Sequence, residues 1–169
     1  MGVLSGTEIK KYLDEKKLKV EPNNDTFIGT ASIDLTLGNE FRYFIHSNGP
    51  VQINNSARAN DYQNFSSPLT LEDDVPYYLG PGQMCLGITK EKVQLPPNLC
   101  ALVEGRSRFA RLGLSVHITA SFIHPGSNNQ TVLEIFNASS LTLALYPGTK
   151  VCQMIFMTME GSAEYNACE

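Results

Sequence analysis

At 169 residues the chain is long enough for one domain with a sizeable core, and its 42% hydrophobic and 18% charged residues are those of an ordinary globular protein. A net charge of −4 argues against broad electrostatic binding of nucleic acid, but not against a single nucleotide, which needs only a few local cations. No run approaches the roughly 18 apolar residues of a membrane span, and residues 1–17 lack the basic start and apolar centre of a signal peptide, so a cytoplasmic location is expected.

Cys85, Cys100, Cys152 and Cys168 form no C-x-x-C pair; three sit in apolar surroundings, and buried free thiols are expected. The Asn137-Ala138-Ser139 sequon carries little weight without a secretory signal.

In chain order, Ser5 or Thr7 can cap a helix that places Ile9, Tyr12 and Leu13 on one face and fades near Lys17. A short strand is expected at 18–21 and a turn at 22–25. Residues 31–38 alternate apolar and polar, which reads as a half-buried strand carrying Asp34 on its polar face. Capping a neighbouring loop is the favoured role for Asp34. A turn or bulge at Gly38-Asn39 leads into a strand at 40–45.

Residues 47–68 are rich in Asn, Ser and Gly and read as a loop insertion holding one short strand at 51–53. Further strands are expected at 69–71, 77–79, 84–89, 99–104, 132–136, 141–145 and 151–157, with an extended segment and turn at 93–98 and a loose polar end at 160–169. Along 151–157, Cys152, Met154 and Phe156 share one face. Many short strands, with Pro/Gly turns roughly every 8–12 residues, point to an all-β sandwich or jelly roll behind one helix. Nothing suggests a second domain, so residues 1–169 are read as one.

The usual nucleotide loops, G-x-x-x-x-G-K-[ST] and G-x-G-x-x-G after a strand, are absent. So are the H-x-E and P-C-x-x-C motifs of zinc deaminases, and His46, His117 and His124 are scattered. What remains is a cationic turn, Arg106-Ser107-Arg108 with Arg111, and a carboxylate, Glu134, inside the apolar run Val132-Leu133-Glu134-Ile135-Phe136. Guanidinium forks match phosphate oxygens, and amides of the turn can add an anion nest. An interior Glu134 needs a partner, for which Arg111 or Arg106 is at hand. A structural ion pair and a nucleotide site both fit these residues. His117 reads as filling a polar niche in a strand.

Several stretches, in order, resemble the dCTP deaminase family. They are ASIDLTLGNEFR at 31–42, GRSRFARLGL at 105–114, VHITA at 116–120, VLEIFN at 132–137 and Pro147-Gly148 with the strand after it. The resemblance spans nearly the whole chain except 47–68. It implies the dUTPase-like distorted β-barrel shared with trimeric dUTPases, a homotrimer with sites between subunits, and deamination of dCTP to dUTP and ammonia without zinc. Glu134 would then be the general base; Ser107 and the Ala120 carbonyl would position the water; Arg111 would steady the base and the developing charge. Arg106, Ser107, Arg108 and Arg111 would hold the triphosphate, with magnesium bridging its phosphates. Backbone around Val132, Leu133 and Glu134 would read the pyrimidine edge, and Gln153 and Tyr165 join the nucleotide-binding set. A glutamate buried among apolar neighbours would suit proton shuttling.

Three departures from the family pattern stand out. Arg108 replaces a second serine. His124 replaces the aspartate of I-D-x-G, with Ser127-Asn128-Asn129 following. The chain stops soon after Tyr165, where the family has a longer tail. The His124 departure argues against triphosphate hydrolysis, leaving a dUTP pyrophosphatase, alone or combined with deamination, as one alternative. A silent nucleotide-binding regulatory protein is the other.

Overall fold

A computed structural model describes residues 2–23, 27–47, 49–58, 61–163 and 165. One helix precedes the strands, as expected. Helix α1 (Gly6–Asp14) is capped by Ser5, whose hydroxyl accepts from the Glu8 amide at 3.3 Å. It ends short of Lys17 because Lys16 turns left-handed, at φ 57°, and the Lys17 and Leu18 amides return to the Tyr12 carbonyl at 2.9 and 3.1 Å. Ile9 is its buried anchor.

Eleven strands follow: β1 (Lys19–Glu21), β2 (Ile33–Phe44), β3 (Ser66–Thr70), β4 (Tyr77–Leu79), β5 (Met84–Gln94), β6 (Leu99–Gly105), β7 (Leu114–Ser115), β8 (Phe122–Ile123), β9 (Asn128–Asn137), β10 (Leu143–Leu145) and β11 (Lys150–Thr158). Helix α2 (Ser107–Ala110) lies between β6 and β7. Nine strands form one sheet in the order β7-β9-β5-β2-β11-β6-β8, with β1 added on β5 and β3 on β2; β10 and β4 pair separately. Every pairing between these strands is antiparallel. The sheet curls as a half-barrel around Leu35, Leu37, Leu133, Ile135, Met154 and Phe156, all buried.

Several boundaries move. The segments expected at 31–38 and 40–45 are one strand, β2, and Gly38-Asn39 falls in a register shift against β5 between Leu37 and Phe41. No strand forms at 51–53. The insertion instead ends in a 3₁₀ turn (Asp61–Phe65), and residues 66–68, expected as loop, belong to β3. Pro68 is tolerated there because β3 is an edge strand, paired among the described residues only with β2. Strand β5 runs on to Gln94 because residues 92–94 pair with β1. Cys152, Met154 and Phe156 are buried together on β11, as the alternation predicts. Cys85, Cys100 and Cys152 are buried free thiols. Cys168 lies outside the described residues, as do parts of the expected turn at 22–25 and of the polar end.

Candidate functional site

Strand β6 delivers the chain to the cationic turn. Arg106 is still extended, at φ −94° and ψ 131°, and the four residues of α2 follow. The amides of Phe109 and Ala110 return to the Arg106 carbonyl, and that of Arg111 to the Ser107 carbonyl. That leaves only the Ser107 and Arg108 amides for an anion nest. Gly113, at φ 89°, ends the turn, and its carbonyl accepts from the Ala138 amide at 2.8 Å. The exit of α2 is thereby fastened to the end of β9.

Within this turn the arginines differ. Arg106 turns inward and forms an ion pair with Asp34, their side chains 28% and 19% exposed. The pair lines a hollow of about 520 Å³ with Ser32 and Gln153. The Gln153 side chain accepts from the Ser32 hydroxyl at 3.0 Å and donates to the Gly105 carbonyl at 3.4 Å, closing the turn from behind. Ser107, Arg108 and Arg111 are exposed. The Arg108 guanidinium lies over the Phe109 ring, 4.6 Å from its centroid.

Glu134 departs from expectation. Period two along β9 puts Leu133 and Ile135 in the core and turns Glu134 to the other face, where it is half-buried. Its carboxylate accepts from the Ile118 amide at 3.1 Å. Neither Arg106 nor Arg111 is its partner: Arg106 is taken by Asp34, and the residues on either side, Leu133 and Ile135, belong to the opposite face of the strand. Leu133 is fully buried, so only its backbone is available to a ligand.

The loop that supplies the Ile118 amide is tied to itself and to β6. The Ser115 hydroxyl donates to the His117 carbonyl at 2.5 Å, and the Val103 amide donates to the Ser121 carbonyl at 2.9 Å. His117 lies in this loop and not in a strand; its Nε2 is 3.7 Å from a Glu104 oxygen, and its Nδ1 is buried without a hydrogen-bond partner. Beyond the loop, Ala120, His124, Val132 and Tyr165 line a second hollow of about 200 Å³. The His124 ring meets Phe122 edge-on at 5.0 Å and Tyr165 at 6.5 Å.

Ala120, Val132 and Tyr165 therefore come together, with Glu134 two residues along the same face of β9. Arg106 and Gln153 come together elsewhere. The two hollows share no lining residue, and they take opposite faces of β11, Met154 on one side and Gln153 with Ile155 on the other. Strand β9 pairs with β7 only at Phe136 and Asn137, so among the described residues its backbone over 128–135 has no strand on the edge away from β5.

Three polar residues have roles that the sequence does not assign them. Asp34, read as a loop cap, is the partner of Arg106. Asn137 is fully buried: its side chain donates to the Leu79 and Leu141 carbonyls at 3.0 and 2.7 Å and accepts from the Ser139 amide at 3.0 Å and hydroxyl at 2.8 Å. Glu91 is buried on β5, where alternation with Thr89 and Val93 foretells its inward direction. Among the described residues no three His, Cys, Asp or Glu side chains converge so as to hold a metal ion, and no helix is long and apolar enough to cross a membrane.

A family model described as dCTP deaminase-like matches residues 3–159. The chain belongs to the dCTP deaminase-like family. A Methanosphaera stadtmanae protein named "dCTP deaminase, dUMP-forming" is 40% identical over 167 residues, covering 97% of this chain and 83% of that one. A Colwellia psychrerythraea protein named "dCTP deaminase" is 40% identical over 166 residues, covering 95% and 83%. The fold matches the crystal structure of 2′-deoxycytidine 5′-triphosphate deaminase from Agrobacterium tumefaciens with a TM-score of 0.71 at 22% identity, over 92% of this chain and 48% of that one. The mainly β, curled-sheet fold expected for the chain is thus the one it adopts, shared with that deaminase.

Proposed function

We propose that the protein hydrolytically deaminates dCTP to dUTP and ammonia, with Glu134 as the general acid and base and without zinc. The observation that carries this reading is the placement of Glu134. Its carboxylate is oriented by the Ile118 amide, beside the hollow of Ala120 and Val132, on a strand whose outer backbone edge is open. An open edge offers the amides and carbonyls that a pyrimidine edge can pair with.

In this reading the Ser107 hydroxyl, the Ala120 carbonyl and Glu134 hold one water against C4 of cytosine. The water adds to C4, and the proton it gives up passes through Glu134 to N3. The tetrahedral carbon then carries a hydroxyl and the amine. Glu134 takes the hydroxyl proton and delivers it to the amine as the C4–N bond breaks, leaving the carbonyl of uracil and free ammonia. Fixed dipoles aimed at the reacting water can replace a metal when the geometry is tight. Arg111 steadies the developing charge. Arg106, Ser107, Arg108 and Arg111 hold phosphate oxygens, Gln153 backs the turn, and Tyr165 closes over the nucleotide. Magnesium arrives with the triphosphate as part of the substrate.

A homotrimer belongs to the same proposal. The cationic hollow and the Ala120–Val132 hollow take opposite faces of β11, which supports a site completed by a second copy. A monomeric mass by light scattering would count against it. Three buried free thiols suit the reducing cytoplasm in which we place the protein.

A second reading, release of dUMP, is favoured by the position of His124 in the hollow beside Val132. Incubation with dCTP, and separately with dUTP, each with magnesium, tests both. Ammonia with accumulating dUTP supports deamination alone. Appearance of dUMP and pyrophosphate from both substrates makes the enzyme bifunctional. Turnover of dUTP only overturns the first reading, and turnover of neither leaves a nucleotide-binding protein.

A further inference from the structure

One buried carboxylate has no part in the chemistry above. Glu91 is 1% exposed, and a buried carboxylate is costly unless it is hydrogen-bonded. Its Oε2 accepts from the Thr36 amide at 2.7 Å. Its backbone is held as well: the Thr89 hydroxyl donates to the Glu91 carbonyl at 2.9 Å and accepts from the Thr131 amide at 2.9 Å.

The Thr36 amide needs this acceptor because of where it lies. Successive amides of a strand point to alternate edges. The Leu37 amide bonds the Thr149 carbonyl at 2.8 Å, on the β11 side, so the Thr36 amide faces β5. There the β2–β5 ladder has its last pair at Leu37 and Thr89, and β5 continues from Lys92 with β1 as its partner. On the opposite edge the register of β2 against β11 shifts between Lys150 and Cys152, facing Thr36 and Leu35. Strand β2 is irregular on both edges at one place, and Glu91 closes the gap on one of them.

Asp34 lies two residues before Thr36 on the same face of β2, and its carboxylate holds Arg106. These charges form one group around Cys152: its buried thiol is raised chiefly by desolvation, with Glu91 and Asp34 adding to the rise and Arg106 opposing it.

We infer that Glu91 is a positioning residue for Arg106: by pinning the Thr36 amide it fixes β2 at its irregular point, and with it Asp34 and the guanidinium that Asp34 aims. This rests on the phosphate role proposed for Arg106. The device works by reach and not by charge. Glu91→Gln keeps an acceptor at the same distance, whereas Glu91→Asp keeps the charge and withdraws it by one methylene.

The test uses the full chain with ¹⁵N-arginine, following the Arg106 Nε–H resonance, assigned with Arg106→Lys, and calorimetric binding of inorganic triphosphate. E91Q keeps the resonance and binds triphosphate within twofold of wild type. E91D loses the resonance to exchange and binds about tenfold more weakly. An E91D protein that melts lower but keeps both the resonance and the affinity overturns the inference, since Glu91 would then only stabilise the sheet. Should E91D not fold, hydrogen exchange in the wild type decides: the Thr36 amide and Arg106 Nε–H share one opening rate if the two are coupled, and unrelated rates overturn the coupling. Neither readout needs turnover, so a wild-type protein that fails to deaminate dCTP sinks the proposed function and leaves this measurement standing.

Discussion

Arg106 is ion-paired to Asp34, a residue 72 positions earlier in the chain and on a strand that does not pair with β6. The pair turns what looks in sequence like one of three equivalent surface arginines into a fixed donor. Asp34→Asn keeps the shape and removes the charge. For a pair this far buried the cost lies between that of exposed and buried ion pairs, about 1–2 kcal/mol, or roughly 2–8 °C in melting temperature. If Arg106 holds phosphate and Glu134 shuttles the proton as proposed, KM for dCTP should rise more than kcat falls, because only the guanidinium is loosened. Steady-state kinetics with calorimetry on the same preparation checks both.

Glu134→Gln should retain the fold and the amide contact from Ile118, since a side-chain carbonyl can accept that bond. Deamination should fall by about 10²–10⁴-fold. Near-wild-type ammonia release from the folded variant would remove Glu134 from its proposed role.

Gly113 is where α2 meets the end of β9. A Cβ there would lie 2.6 Å from the Ser139 Cβ and 2.8 Å from the Ser139 amide nitrogen, and φ is 89°. Gly113→Ala should destabilise by about 2–4 kcal/mol, the sum of backbone strain and a clash with main chain. Gly148→Ala is the control: φ is 84° but nothing lies within 4 Å of its Cβ, so only the backbone cost of about 1 kcal/mol should appear. Urea midpoints of the two variants separate the contributions.

Burial pushes the Cys85 and Cys152 thiols up to about 12. Both therefore stay protonated in the folded chain at a pH where the unfolded chain has lost those protons. Their contribution to stability is whole below the ordinary thiol value of about 8.5 and is lost progressively from there toward pH 12. Unfolding in urea from pH 7 to 10.5 should show a midpoint that falls above pH 8.5. At pH 8 iodoacetamide should label the two cysteines only after unfolding.

The fold was readable because alternation is a local signal. Strand β11 and the core face of Cys152, Met154 and Phe156 follow from period two alone. The same signal was under-used at Glu134. A strand with Leu133 and Ile135 inward must turn the residue between them outward, yet the apolar run suggested an interior charge. The Asp34–Arg106 pair could not be read from sequence, because it depends on how a curled sheet brings the start of β2 to the end of β6. The missing strand at 51–53 has a simpler cause: Val51 and Ile53 are 45% and 89% exposed, so two apolar residues flanking Gln52 without a core to face gain nothing by pairing.

The bare outer edge of β9 also matters to a chain newly released from the ribosome. Unpaired strand backbone is adhesive toward any other strand, and Val132 leaves a half-exposed apolar side chain in the middle of it. The edge begins with Asn128, Asn129 and Gln130, and Gln130 folds back to donate to the Thr89 and Lys90 carbonyls at 2.9 and 3.4 Å. These polar residues act as gatekeepers at one end of the edge while the centre stays sticky. Solubility during production should therefore depend on how fast that edge finds its proper occupant. Low temperature or added nucleotide should improve yield.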